Sequence, residues 1–255
     1  MQPAAVIAGL KGIREPTIRR KVLAEALAQG DPSAWVEALA HVLARAIGSA
    51  DGDARAAVDT LAHAVGDAAL GYDARQTLYA AARRHGHSAL ARLFLDASPP
   101  TATDEEVARQ MSPERPLRPR GRPLSLGERK SLARTHARDF ILLLVRDPHP
   151  DVVAVLLENP HLTEDDVVRM AALRPTVPTA LLTIADHARW STRYAVRRAL
   201  VLNPWTPLHM AVRLATTLRP RDLEALAADA TAPIAVRQHA AELLVAGRRR
   251  AAAVS

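Results

Sequence analysis

Residues 152–171, VVAVLLENPHLTEDDVVRMA, and residues 196–215, VRRALVLNPWTPLHMAVRLA, align without a gap at an offset of 44 residues. Asn159-Pro160 falls on Asn203-Pro204, Leu156 on Leu200, Val168 on Val212 and Arg169 on Arg213. A further mark precedes each unit: Asp147 before Val152, Asp186 before Val196, Asp229 before Val236. A period of about 40 to 44 residues holding two or three short helices is the pattern of HEAT and armadillo-like stacks. The Asn-Pro pair has a physical role in this reading. Asparagine accepts the left-handed conformation that ends a helix, and the proline after it prevents continuation. A new helix then starts, capped by Thr163 with Asp166 at its third position in one unit, and by Thr206 with Pro207 at its first position in the other.

Working outward, ordered structure resumes at Ser125, which with Glu128 forms a capping box. Residues 97–123 hold six of the eighteen prolines, at 99, 100, 113, 116, 119 and 123. Thr103 and Glu106 allow one short helix there, but prolines remove backbone donors and bias the residues before them away from helix. The stretch is read as an extended linker. Residues 1–96 read as helices with ordinary punctuation: 16–28, 32–47 behind an Asp31 cap, 53–65, 73–84 and 88–95. Val36, Leu39, Ala40, Val42 and Leu43 recur at helical spacing and mark a buried face. The expected organisation is an all-α chain: a helical domain over 1–96, a Pro/Arg linker over 97–124, a HEAT-like repeat solenoid over 125–247 and a basic tail over 248–255.

Composition narrows the chemistry. Apolar residues make up 49% of the chain but aromatics only 3%, so the core is Ala, Leu and Val, which suits close helix-on-helix packing. There is no cysteine, which excludes disulfides, zinc–thiolate sites and cysteine-held iron–sulfur clusters. Residues 1–12 show no basic region ahead of their apolar stretch, and the longest strongly apolar run, 140–145, is far short of a membrane helix. A cytoplasmic protein is expected. The net charge of +7 is unevenly placed. Residues 1–96 and residues 131–247 each carry a net charge of only +1. The excess includes Arg115, Arg118, Arg120 and Arg122 in the linker and Arg248, Arg249 and Arg250 in the tail.

The stretches LLENPHLTEDDVVRMAALRP (156–175) and RWSTRYAVRRALVLNPWTPLHMAVRLA (189–215) resemble the leucine-rich-repeat variant and related HEAT-like proteins of bacteria, whose repeats carry an Asn-Pro-x-Thr-Pro turn. The likeness covers residues 125–245 and rests on the Asn-Pro-x-Thr elements; residues 1–96 resemble no known family. It implies a right-handed helical solenoid with an interaction role. The founding variant-repeat protein carries a cysteine-ligated iron–sulfur module, which a chain without cysteine cannot hold. HEAT-like DNA glycosylases share the architecture but set a catalytic Asp beside their tryptophans. Here Leu39, Tyr194 and His209 stand one turn after Trp35, Trp190 and Trp205.

No nucleotide-binding, nucleophile-elbow or zinc-protease motif occurs. His85-Gly86-His87 is the tightest histidine pair, but no carboxylate lies at ligand spacing in the sequence, and the expectation is no metal and no cofactor. The run Glu164, Asp165 and Asp166 is read as first-turn acids offsetting a helix dipole. The cluster Arg189, Trp190, Arg193, Arg197 and Trp205 carries the candidate partner-binding site. On a helix from about residue 191, Arg193 and Arg197 share a face that Trp190 could lie across, an Arg–aromatic surface of the kind found at interfaces. The competing reading sends Trp190 into the core as a hydrophobic staple. The function expected is a non-enzymatic scaffold or adaptor for a protein partner. The alternative is a nucleic-acid-associated protein that uses the linker and tail arginines.

Overall fold

The structure, a computed structural model, describes residues 2–48, 51–95 and 124–254, with side chains through Arg248. These residues form fifteen α-helices and one 3-10 turn, and no strand occurs among them. The helices are α1 Pro3–Gly9, α2 Pro16–Gln29, α3 Pro32–Gly48, α4 Gly52–Ala64, α5 Tyr72–Arg84 and α6 Ser88–Phe94. They continue as α7 Leu126–Ala133, α8 Arg138–Leu144, α9 Pro150–Leu157, α10 Glu164–Ala171, α11 Pro178–Asp186, α12 Tyr194–Leu202, α13 Leu208–Ala215, α14 Pro220–Ala228 and α15 Ile234–Val254. Six of them begin on proline, whose missing N–H is an orphan at that position anyway. Asp31 accepts the Ala34 N–H at 2.7 Å, and Asp51 accepts that of Ala54 at 3.0 Å. The capping boxes at Ser125 and Thr163 are both formed. No described helix is long and apolar enough to cross a membrane.

The contacts divide the chain into two compact units, Met1–Ser98 with Ala211–Ser255 and, separately, Pro99–Met210. This differs from the expected single domain over 125–247: the last helices belong with the first. The expected tail is also helical, since α15 runs through Arg248, Arg249 and Arg250 to Val254. The alanines at 251–253 are the strongest helix formers and sustain it. The linker reading, with Thr103 and Glu106, lies almost wholly outside the described residues.

In the first unit Trp35, Val36 and Leu39 of α3 face a core with Leu23, Leu27, Leu61, Leu78, Leu90 and Phe94, and Val42 and Leu43 are buried as well. The C-terminal helix α15 packs across α3 and α6. Its approach to α3 is set by two glycines: a Cβ on Gly48 would lie 2.8 Å from the Gly247 carbonyl oxygen. Between α6 and α15, Arg92 donates to both carboxylate oxygens of Glu242, at 2.9 and 3.0 Å. Alanine is a better helix former than glycine by about 1 kcal/mol. Gly48→Ala should nevertheless lower stability by roughly 1 kcal/mol, because backbone must shift to admit the methyl. A urea midpoint that rises in this variant would refute the close crossing.

In the second unit the Asn-Pro turns do something the sequence reading did not foresee. Asn203 has φ −85° and ψ 116°, an extended conformation rather than the left-handed one expected. Its role lies in the side chain, which is buried. The Asn203 amide donates to the carbonyls of Ala171 and Leu173, at 2.8 and 2.9 Å, while its Oδ1 accepts the Trp205 N–H at 3.0 Å. Asn159 repeats the pattern, donating to Ala133 and Thr135 at 2.8 and 2.9 Å and accepting from His161 at 2.9 Å. Each asparagine therefore ties the end of the third helix of a triplet (α7–α9, α10–α12) to the end of its first helix, satisfying carbonyls that a helix terminus leaves open. The Thr206 hydroxyl also donates back to the Leu200 carbonyl at 2.6 Å. Asn203→Ala would strand one buried and one half-buried carbonyl and should destabilise the unit by about 2 kcal/mol, read from chemical unfolding.

Two arginine–aspartate pairs reinforce the second unit. Arg129 meets both oxygens of the buried Asp147 at 2.7 Å. Arg138 grips the fully buried Asp166 at 2.5 and 2.6 Å. Burial alone would raise the Asp166 pKa, but Arg138 and the Thr163 hydroxyl and amide outweigh it and hold the carboxyl at about 2.

Candidate partner-binding site

The Asn-clamped triplets explain where the five candidate residues lie. The anchored ends of the triplets recur at different intervals. Ala133 and Ala171 stand 38 residues apart, whereas Asn159 and Asn203 stand 44 apart. The second triplet is thus six residues longer between its first and third helices, and part of that length is the segment between α11 and α12 that holds Trp190. Trp190 is 2% exposed, and its Nε1 donates to the Leu157 carbonyl at 2.9 Å. Leu157 ends α9, so the indole caps the last turn of the preceding triplet while filling the space between the two. The reading of Trp190 as a surface anchor is corrected: it is the core side chain that the competing reading described.

The arginines are also not arranged as expected. Arg193 precedes the first residue of α12 and is exposed, its guanidinium 3.9 Å from Glu164. Arg197 is buried among Val196, Leu200 and Val201 and donates to the Thr192 carbonyl at 3.4 Å. The two share no exposed face, because Arg197 falls next to the apolar stripe of α12 rather than opposite it. Arg189 is exposed and lies 4.2 Å over the Trp190 ring, which covers the indole from outside.

Trp205 behaves differently. Its backbone is fixed by Asn203, yet 39% of its surface stays exposed, and Leu208 one turn on is 42% exposed. His161 holds the same place after Asn159 and packs at a tilt against His136, with ring centroids 4.5 Å apart. Beside this edge, Arg174 donates to the Leu202 carbonyl. The Asn-Pro turns thus present ring side chains on a braced backbone, with Trp205 the largest of them.

Elsewhere, Gly86 adopts φ 73° and turns the chain so that His85 and His87 both meet Glu37, at 2.8 and 3.4 Å. That carboxylate stands nearly fifty residues away in sequence, which is why spacing alone did not reveal it. Among the described residues no three His, Asp or Glu side chains are placed to hold a metal ion. Asp166 is absorbed by its cap and by Arg138, which leaves Glu164 and Asp165 as first-turn acids. Of the arginines considered for nucleic acid, Arg115, Arg118, Arg120 and Arg122 lie outside the described residues. Arg248 is exposed on α15, 4.0 Å from Glu224.

Comparison with protein-family models, with curated proteins and with solved structures finds no match to this chain.

Proposed function

We propose that residues 125–210 are a HEAT-like helical-repeat module with a non-enzymatic, adaptor role, and that they bind a protein partner at the edge formed by the Asn-Pro turns. One observation carries this reading: Trp205 keeps 39% of its surface exposed on a backbone locked by Asn203. An exposed tryptophan held rigidly loses little entropy on binding, and such residues dominate interface energetics. Leu208 widens the apolar contact and Arg174, which reaches the Leu202 carbonyl, supplies charge; Arg189 and Arg193 stay exposed as rim residues, whereas Trp190 and Arg197 act only through folding. The basic stretches around Arg115–Arg122 and Arg248–Arg250 are the rival route, through nucleic acid.

Capture of partners from the native cell by the tagged full-length chain, followed by mass spectrometry, tests the reading when run alongside Trp205→Ala. A partner that depends on Trp205 should be lost, with an affinity drop of about thirtyfold, or ~2 kcal/mol. The thermal midpoint should barely move. Capture that is unaffected by Trp205→Ala but abolished by nuclease or modest salt would favour nucleic acid instead.

A further inference from the structure

The first unit contains a cavity of about 470 Å³ whose lining is drawn from α1, the 3-10 turn Leu10–Gly12, α2, α3 and α4. Its apolar surface comes from Ile7, Leu10, Val42 and a series of alanines, with Leu10, Val42 and Ala54 buried beneath it. Such a volume lies in the range of small-molecule sites, which are apolar with few charged groups that fix orientation.

The charges on this lining are mostly matched. Lys11 pairs with Asp53, and Arg45 with Asp51, its Nε 2.7 Å from the carboxylate. Glu37 accepts from His85 at 2.8 Å. Arg19 is the exception: its Nε is shut off from solvent without a hydrogen-bond partner, and no carboxylate pairs with it among the described residues. A guanidinium whose Nε is shut off from water gains from an acceptor, and a carboxylate is the acceptor whose two oxygens match its fork.

We propose that this cavity binds a small amphipathic carboxylate, with an aliphatic chain along the alanine-lined wall and the acid group on Arg19. A single negative charge answers the single unmatched cation. A doubly charged phosphate would bring a second charge that the apolar surface leaves uncompensated. The occupant is therefore of the fatty-acid type rather than a nucleotide or sugar phosphate. This site lies in the first unit and does not depend on the partner-binding reading of residues 125–210.

Calorimetric titration of the full-length chain with decanoate, decanol and decylamine, all below micelle formation, tests the assignment. The three probes share a chain and differ in the head group. Decanoate should bind saturably at one site, decanol at least tenfold more weakly, and decylamine not measurably. Arg19→Gln should reduce decanoate affinity about tenfold while leaving decanol unchanged, and Ala38→Trp, which fills the cavity, should remove both. Circular-dichroism melting of each variant confirms that it is folded, and Arg19→Lys, which keeps the charge but not the fork, should fall between wild type and Arg19→Gln. Equal binding of decanoate and decylamine, or decanoate affinity indifferent to Arg19→Gln, overturns the proposal, as does an absence of decanoate binding at millimolar concentration.

Discussion

Trp190→Ala should lower the unfolding free energy by about 4 kcal/mol, the cost of truncating a fully buried aromatic side chain in a packed site. The indole is 2% exposed and donates to the Leu157 carbonyl, so the variant loses volume and a hydrogen bond together. Trp190→Phe separates the two contributions: it keeps most of the ring but strands the carbonyl, and should cost about 2 kcal/mol. Denaturant unfolding monitored by far-ultraviolet circular dichroism reads both. A variant that unfolds at the wild-type midpoint yet fails to capture partner would restore Trp190 as a surface anchor and overturn the burial-based account.

The contrast between Trp190 and Trp205 shows where sequence reasoning stops. Helix starts were legible because caps are local: Asp31, Ser125 and Thr163 each reach a backbone N–H three residues on. The repeated Asn-Pro pairs were visible for the same reason, as short identical motifs. Their purpose was not, because the amide of Asn203 reaches back to Ala171 and Leu173, and no local rule specifies that partner. Trp190 and Trp205 both sit just ahead of helix starts, so neighbouring residues could not say which ring is buried. The six extra residues of the second triplet decide it, by bringing Trp190 to the end of α9. The pairing of the last helices with the first was hidden in a similar way. Apolar periodicity marks a buried face but not the surface that covers it. Gly48 and Gly247 record the α3–α15 crossing only once their backbones are seen together. Glu37 with His85 and His87 is a further contact set by tertiary folding rather than by spacing.

Acidification should destabilise the first unit well above the pH at which ordinary carboxylates protonate, and His239 of α15 should be the cause. The side chain is fully buried, and neither ring nitrogen has a hydrogen-bond partner in proper geometry. Burial pushes its pKa down from 6.5 to about 4; the Glu242 carboxylate pulls upward, Arg92 adds to the depression, and the Val212 backbone gives a weak upward pull. The unfolded chain therefore takes up a proton at His239 near pH 6.5, while the folded chain resists until about pH 4. Stability from this group is complete above the unfolded value and declines as pH falls towards the folded one, by about 3 kcal/mol across the window. Asp166 acts in the same direction but later. Its folded pKa of about 2 against 3.8 makes its loss, in the second unit, begin at the ordinary carboxylate value and finish near the folded one. His239→Leu isolates the first phase, because an apolar side chain of similar reach has no proton to gain and no unmet hydrogen bond. The variant should match or exceed the wild type at pH 7 and lose the slope between pH 6.5 and 4 while keeping the slope below it. Urea midpoints measured at half-unit steps of pH would show this as two curves that diverge on acidification and then run parallel. Curves that stay parallel across the whole range would mean that His239 titrates as it does in the unfolded chain, and that Arg92, Glu242 and burial exert no net hold on it.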